Sequence, residues 1–155
     1  MDTTEKIKLK TELKAMAVDI LEERIHQSNA AMASAQDAAN NEDKSTVGDK
    51  HEVSRSMAMF DREIHAKQLE AAKKELALVL HTDVTQLHST IIAGTYVEAE
   101  NGKYFFLSGL GTIETSFGKV YFLSLNSPLG KTFTNKKTGD VIEFNKTSIR
   151  ILEVF

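Results

Sequence analysis

Core-type positions recur along residues 18–39 in steps of three and four: Val18, Leu21, Ile25, Ser28, Met32, Ala35 and Ala39. That alternation is the seam of a helix that packs along a partner helix. Upstream, Leu9, Leu13, Met16 and Ile20 follow the same rule in a shifted register. A second stretch gives Val53, Met57, Phe60 and Ile64, then Leu69, Ala72, Leu76 and Val79, with a five-residue step between Ile64 and Leu69 that reads as a register break. The remaining positions are charged or polar, so each helix has one apolar stripe and one solvated face. The second helix, over roughly 49–80, spans about 48 Å at 1.5 Å per residue. So narrow a stripe on so long a rod must be buried by a partner helix. An antiparallel hairpin does this within one chain, a parallel dimeric coil between two. The polar stretch from Asn40 to Gly48 favours the reversal. Near the end of the first helix the seam thins to Ala and Ser, so that end of the pair is expected to be the less firmly held.

The pattern changes near residue 82. Thr95-Tyr96-Val97-Glu98-Ala99 reads as a strand, Asn101-Gly102 as a hairpin turn, and Lys103-Tyr104-Phe105-Phe106-Leu107 as its partner. Residues 119–125 give a third strand. Ser127 then reads as an N-cap with Pro128 in the first helical position, starting a short helix to about Lys136. Residues 141–144 and 149–154 alternate as two closing strands. The fold class is α+β: an N-terminal antiparallel two-helix coiled-coil hairpin over 1–82, with its tip near 40–52, then a small antiparallel sheet with one short helix over 83–155.

Composition agrees with this division. Seven of the eight glycines, the single proline and most aromatics lie in the second half. The net charge of −3, from 19 Lys and Arg against 22 Asp and Glu, argues against a duplex-DNA binder that works by bulk phosphate neutralisation. No cysteine is present, which excludes a disulfide framework and a thiol nucleophile. The first residues contain no apolar leader-like segment, and no apolar run approaches the ~18 residues needed to span a bilayer. A cytoplasmic protein without a membrane partner is expected.

The segment Asn40-Asn41-Glu42-Asp43-Lys44-Ser45-Thr46-Val47-Gly48-Asp49-Lys50-His51-Glu52 holds four carboxylates at the expected reversal. Carboxylates on the end of a rigid rod can be delivered into a deep site on a partner. The same residues also suit helix capping: Asp49 as N-cap with Glu52 reaching back, or Thr46 as cap. Glu42 and Asp43 read as auxiliary tip acids or as part of a solvated loop.

Asn126-Ser127-Pro128-Leu129-Gly130-Lys131, followed by Lys136-Lys137-Thr138-Gly139-Asp140-Val141-Ile142-Glu143-Phe144 and a last strand, resembles the C-terminal domain of the bacterial Gre-type transcription elongation factors. Gly48-Asp49-Lys50-His51-Glu52 is similar to the tip motif of that family's coiled-coil hairpin. The resemblance covers nearly the whole chain and implies an FKBP-like second domain. It implies a partner, RNA polymerase, whose secondary channel the hairpin enters toward the RNA 3′ end. Asp49 and Glu52 would there help hold a second Mg²⁺ of the polymerase and promote hydrolysis of backtracked RNA, so the chain lends carboxylates rather than being an enzyme itself. Two carboxylates in i, i+3 spacing share a helix face and suit Mg²⁺, which prefers hard oxygen ligands and keeps several waters. No cofactor is expected on the isolated protein, and no sequence-specific DNA binding. The resemblance also implies that Ser127, Pro128, Leu129, Gly130 and Lys131 serve polymerase docking. After the acidic pair this chain has Val53-Ser54-Arg55-Ser56, where the family has Asn and then an aromatic. Relatives of the same architecture occupy the channel without cleavage, which leaves a non-cleaving regulator as the alternative.

Other chemistry is thin. His51 could carry a proton at the tip. His26, His65, His81 and His88 have no zinc-ligand spacing. Lys131, Lys136, Lys137 and Lys146 read as a solvated face or as contacts to a partner's acids. The Tyr and Phe residues could stack bases, but no basic run is interleaved with them, and a sheet core explains them. A prolyl isomerase, suggested by fold analogy alone, requires an open aromatic pocket on the sheet.

Overall fold

The computed structural model describes residues 1–42 and 48–155, and of Glu42, Asp49 and His51 the backbone alone. Helix α1 runs Thr3–Glu42 and α2 runs Gly48–His81. Six strands and one short helix follow: β1 Thr95–Ala99, β2 Gly102–Phe106, β3 Gly111–Thr115, β4 Gly118–Leu123, α3 Pro128–Phe133, β5 Val141–Phe144 and β6 Thr147–Val154. The chain forms two compact units, one of Met1–Val18 with Leu78–Phe155 and one of Asp19–Ala77. The division cuts across both helices rather than falling at residue 82.

In the unit of residues 19–77, α1 and α2 pack antiparallel. Lys14 reaches the Leu80 carbonyl, while residues later in α1, Leu21 to Ala31, line one groove with residues earlier in α2, His65 to Glu75, so the helices run in opposite directions. The seam read for α1 holds: Leu21 and Ala39 are buried, and Ile25, Ser28, Met32 and Ala35 are half-buried.

On α2 the seam differs from the expected one. Leu69 and Ala72 are buried as expected, but Val53, Met57, Phe60 and Ile64 are 59%, 66%, 62% and 39% exposed. In their place Ser54, Ala58, Arg62 and His65 turn inward, with Ala58 buried. There is no register break. From Val79 the seam steps back through Leu76, Ala72, Leu69, His65, Arg62, Ala58 and Ser54 in threes and fours. A regular helix fixes each residue's angle from the last, so the face buried at Leu76, Ala72 and Leu69 dictates the face at Ser54. The larger apolar stripe lies on another side and stays outside.

In the other unit the sheet order is β3-β4-β2-β1-β6-β5. All neighbours are antiparallel except β2 and β4, which pair in parallel from Lys103↔Val120 to Phe106↔Leu123. Strand β3, not foreseen in the sequence, lies outside β4 and makes this parallel pairing possible. The β1–β2 reversal sits one residue earlier than expected: Gly102 pairs with Ala99, and Glu100-Asn101 form the turn. Asn145 and Lys146, with φ of 49° and 64°, make the β5–β6 turn of the kind that matches strand twist.

One sheet face packs on α3. Val97, Tyr104, Phe106, Ile149 and Ile151 are buried there with Phe133, whose ring lies 5.0 Å from Tyr104 and 5.3 Å from Phe106. Those three rings are close-packed and leave no open aromatic pocket between them, against the requirement of the isomerase reading. The opposite face buries Tyr96, Phe105, Val120 and Phe122. The same unit buries Leu9, Leu13 and Ala17 of α1 together with Val79 and Val84. Lys6 of α1 pairs with Glu153 and lies 4.8 Å over the Phe155 ring.

Two α1 lysines hold the chain that leaves α2. Lys14 Nζ donates to the Leu80 carbonyl at 3.2 Å and the Thr82 carbonyl at 2.8 Å, and Lys10 Nζ donates to the Gln86 carbonyl at 2.7 Å. These amines supply donors to carbonyls that a helix end leaves without partners. Asp83 accepts from the Thr85 amide at 2.8 Å and its hydroxyl at 2.6 Å, and these bonds draw its pKa below the ordinary value. Lys10 is fully buried. Burial lowers its pKa from 10.5 to about 8, against the opposing attraction of Asp83. Burial also lowers the pKa of His88, helped by the nearby Lys10 charge.

Two predictions follow from this packing. Ala58→Leu, which enlarges a buried seam residue, is expected to cost about 1–3 kcal/mol, while Phe60→Ala in dilute solution stays within about 0.5 kcal/mol of the parent; urea unfolding measures both. Between pH about 8 and 10.5 the unfolded chain keeps the Lys10 proton that the folded chain has released, so stability rises with pH across that window. The parent should therefore gain stability relative to Lys10→Met between pH ~7.5 and ~10. A flat or opposite trend contradicts the buried-amine assignment.

Candidate functional site

The reversal of the helix pair is bounded by Glu42, the last residue of α1, and Gly48, the first of α2. Gly48 has φ of 21°, a value L side chains rarely adopt, and a Cβ there would meet nothing within 4 Å. Its conformation rather than its space calls for glycine. Asp49 lies one position inside α2, and Glu52 stands three residues further on, its side chain exposed. Both are thus helical residues at a helix start, where the unpaired amides favour negative charge. Asp43 lies outside the described residues, as do the side chains of Glu42, Asp49 and His51; Thr46, the other capping candidate, lies outside as well. Among the described residues no three His, Asp or Glu side chains gather into a set that could hold a metal ion. Two carboxylates in one turn fit Mg²⁺ only as part of a shared set, since this ion is commonly bound by one or two carboxylates with waters and substrate phosphates completing the shell.

The second candidate segment surrounds the start of α3. Ser127 is the N-cap: its Oγ accepts from the Gly130 amide at 3.0 Å and donates to the Ser124 carbonyl at 2.7 Å. Pro128 occupies the first turn, where its missing N–H costs nothing. Leu129 packs half-buried against the core. Gly130 is buried, and a Cβ on it would come 2.0 Å from the Ser124 carbonyl oxygen and 2.8 Å from Ser127 Oγ. Ser127, Leu129 and Gly130 therefore form the helix start and its packing, while Pro128 and Lys131 are exposed and face solvent. Lys136, Lys137 and Lys146 are exposed too. Sequence reasoning did not single out Lys10 or Lys14. A lysine on an amphipathic helix reads as solvated, and only the chain that crosses it shows otherwise. It also placed the Val53–Ile64 stripe inside, where the structure sets it outside.

Neither a protein-family model, nor a curated protein, nor a solved structure matches this chain. No described helix is long and apolar enough to cross a membrane.

Gly130→Ala is expected to destabilise by at least about 3 kcal/mol, because the new methyl group meets backbone rather than a movable side chain. Ser127→Ala should cost only about 1 kcal/mol as a lost cap. Thermal unfolding of the two variants checks the order, and a Gly130→Ala protein as stable as the parent would contradict it.

Proposed function

We propose that this chain is a transcription factor of the Gre type that binds RNA polymerase and presents the acidic reversal of its helix pair to the polymerase active site. The observation that carries this reading is the pair Asp49 and Glu52, three residues apart near the start of α2, with Glu52 exposed. Carboxylates near the end of two long antiparallel helices can be delivered into a partner's recessed site. The resemblance of residues 126–144 to the C-terminal domain of that family supports the same reading.

The role of each group follows from its chemistry. Asp49 and Glu52 supply carboxylate oxygens, and their shared face lets both approach one point on a partner. A second Mg²⁺ held between them and the polymerase would position and activate a water against a phosphodiester. Glu42 and Asp43 add negative potential at the reversal, which favours a cation there. The sheet domain supplies docking surface through Pro128 and Lys131. The chain itself catalyses nothing alone; RNA hydrolysis belongs to the polymerase. A second reading, a channel-binding regulator without cleavage, draws on Val53. This residue is 59% exposed and apolar, directly after the acidic pair, at a place where the resembled family carries Asn.

The test is an RNA cleavage assay on a stalled, backtracked elongation complex. The parent chain is expected to stimulate cleavage, and Asp49→Ala with Glu52→Ala to reduce it on the order of a hundredfold while polymerase binding stays within about twofold. Slowed elongation without cleavage selects the regulator. Absence of polymerase binding removes both readings.

A further inference from the structure

Four large apolar side chains of α2, Val53, Met57, Phe60 and Ile64, lie outside the helix seam at 59%, 66%, 62% and 39% exposure. Their steps of four, three and four place them on one helix face. Continuing the same steps along α2 leads to Gln68, Ala71 and Glu75. These three residues form the α2 wall of a groove of about 500 Å³ whose floor includes Leu21 and Ala31 of α1 and Ala72 of α2. One side of the helix pair thus carries large knobs toward the reversal and, further along, a hollow lined by these small and aliphatic residues together with the polar Arg24, Gln27, Ser28, His65, Gln68 and Glu75.

We infer that this side is a self-pairing surface, and that its occupant is a second copy of the same helix pair set antiparallel across a two-fold axis near Ile64. In that arrangement Met57 lies level with the second copy's Ala71, Phe60 with its Gln68, and Ile64 with its own counterpart. Each copy's knobs then enter the other's hollow, so the contact is made twice. The surface is self-complementary, as a two-fold interface requires. Size points the same way. Four knobs alone form a patch of a few hundred Å², too little for a stable interface. Knobs and hollows of both copies together bury on the order of 1,000–1,500 Å², the lower range for specific complexes. The inference stands apart from the polymerase reading and has one consequence for it. If the hairpin inserts into a polymerase channel as a single helix pair, pairing of two copies would compete with that insertion.

Sedimentation equilibrium of the isolated chain provides the test. The parent is expected to move from 17.2 kDa toward twice that mass as concentration rises through the micromolar range to about 200 μM. Phe60→Glu on the knobs and Ala71→Arg in the hollow should each raise the dissociation constant at least about tenfold. Both positions are exposed in one copy, so circular dichroism should show unchanged helix content. The chain has no cysteine, which allows a direct check of direction. Ile64→Cys should cross-link into a dimer under oxidation and Val53→Cys should not. A parent that stays monomeric at about 200 μM overturns the inference and leaves the stripe to a different protein. Unchanged association in Ala71→Arg, or equal cross-linking at the two cysteines, overturns the antiparallel seating. Loss of polymerase binding has no bearing on these readouts, so the two proposals fail separately.

Discussion

The rotation of α2 about its own axis is the constraint from which the rest follows. A regular helix cannot change the face it buries midway without a skip in its residue steps. Leu76, Ala72 and Leu69 lie on that face, and the same row continues toward the reversal through His65, Arg62, Ala58 and Ser54. Ala58 is buried and Ser54 half-buried in that row, and on α1 Ala39 is buried and Ala35 half-buried. Close approach of two backbones is gained, but little apolar area is buried per turn. The large side chains that would have buried more are left on another side.

The start of α1 and the end of α2 are held within the sheet unit. The first turns of α1 belong to the sheet unit, where Leu9 and Leu13 are buried and Lys6, Lys10 and Lys14 reach Glu153, the Gln86 carbonyl and the carbonyls that follow α2. These contacts fix the start of α1 and the end of α2 together. Lys10 is the unusual member. Its amine is fully buried, which disfavours its charge, yet it holds a loop carbonyl that would otherwise lack a donor. Structure of this kind is built from polar groups satisfied in pairs rather than from area alone.

Much of the fold was legible because periodicity and caps are local. The α1 seam from Val18 to Ala39 and the Ser127-Pro128 start of α3 each declare themselves within a few residues. Strand β3 did not, because Ile113 is its single apolar residue, so its β-branched Thr112 and Thr115 show no apolar–polar alternation around it. On α2 the apolar row Val53, Met57, Phe60 and Ile64 and the mostly polar row Ser54, Ala58, Arg62 and His65 have equally good helical spacing. Local pattern cannot say which one is buried, and the apolar row was the natural but mistaken choice. For the candidate site, the spacing of Asp49 and Glu52 placed both in one helix turn, as found. Their partner lies outside the chain, so the role of the pair is a matter of chemistry and not of fold.

Thiol labelling of single-cysteine variants in the cysteine-free chain tests the rotation of α2 most directly. At low micromolar concentration, where copies do not pair, Met57→Cys should react at close to the rate of a free thiol, and Ala58→Cys at least about a hundredfold more slowly. Adjacent residues with such different rates would establish that the small-residue face is the buried one. Fast labelling at position 58 with protection at position 57 would contradict the account, because it would mean that the helix buries its large stripe.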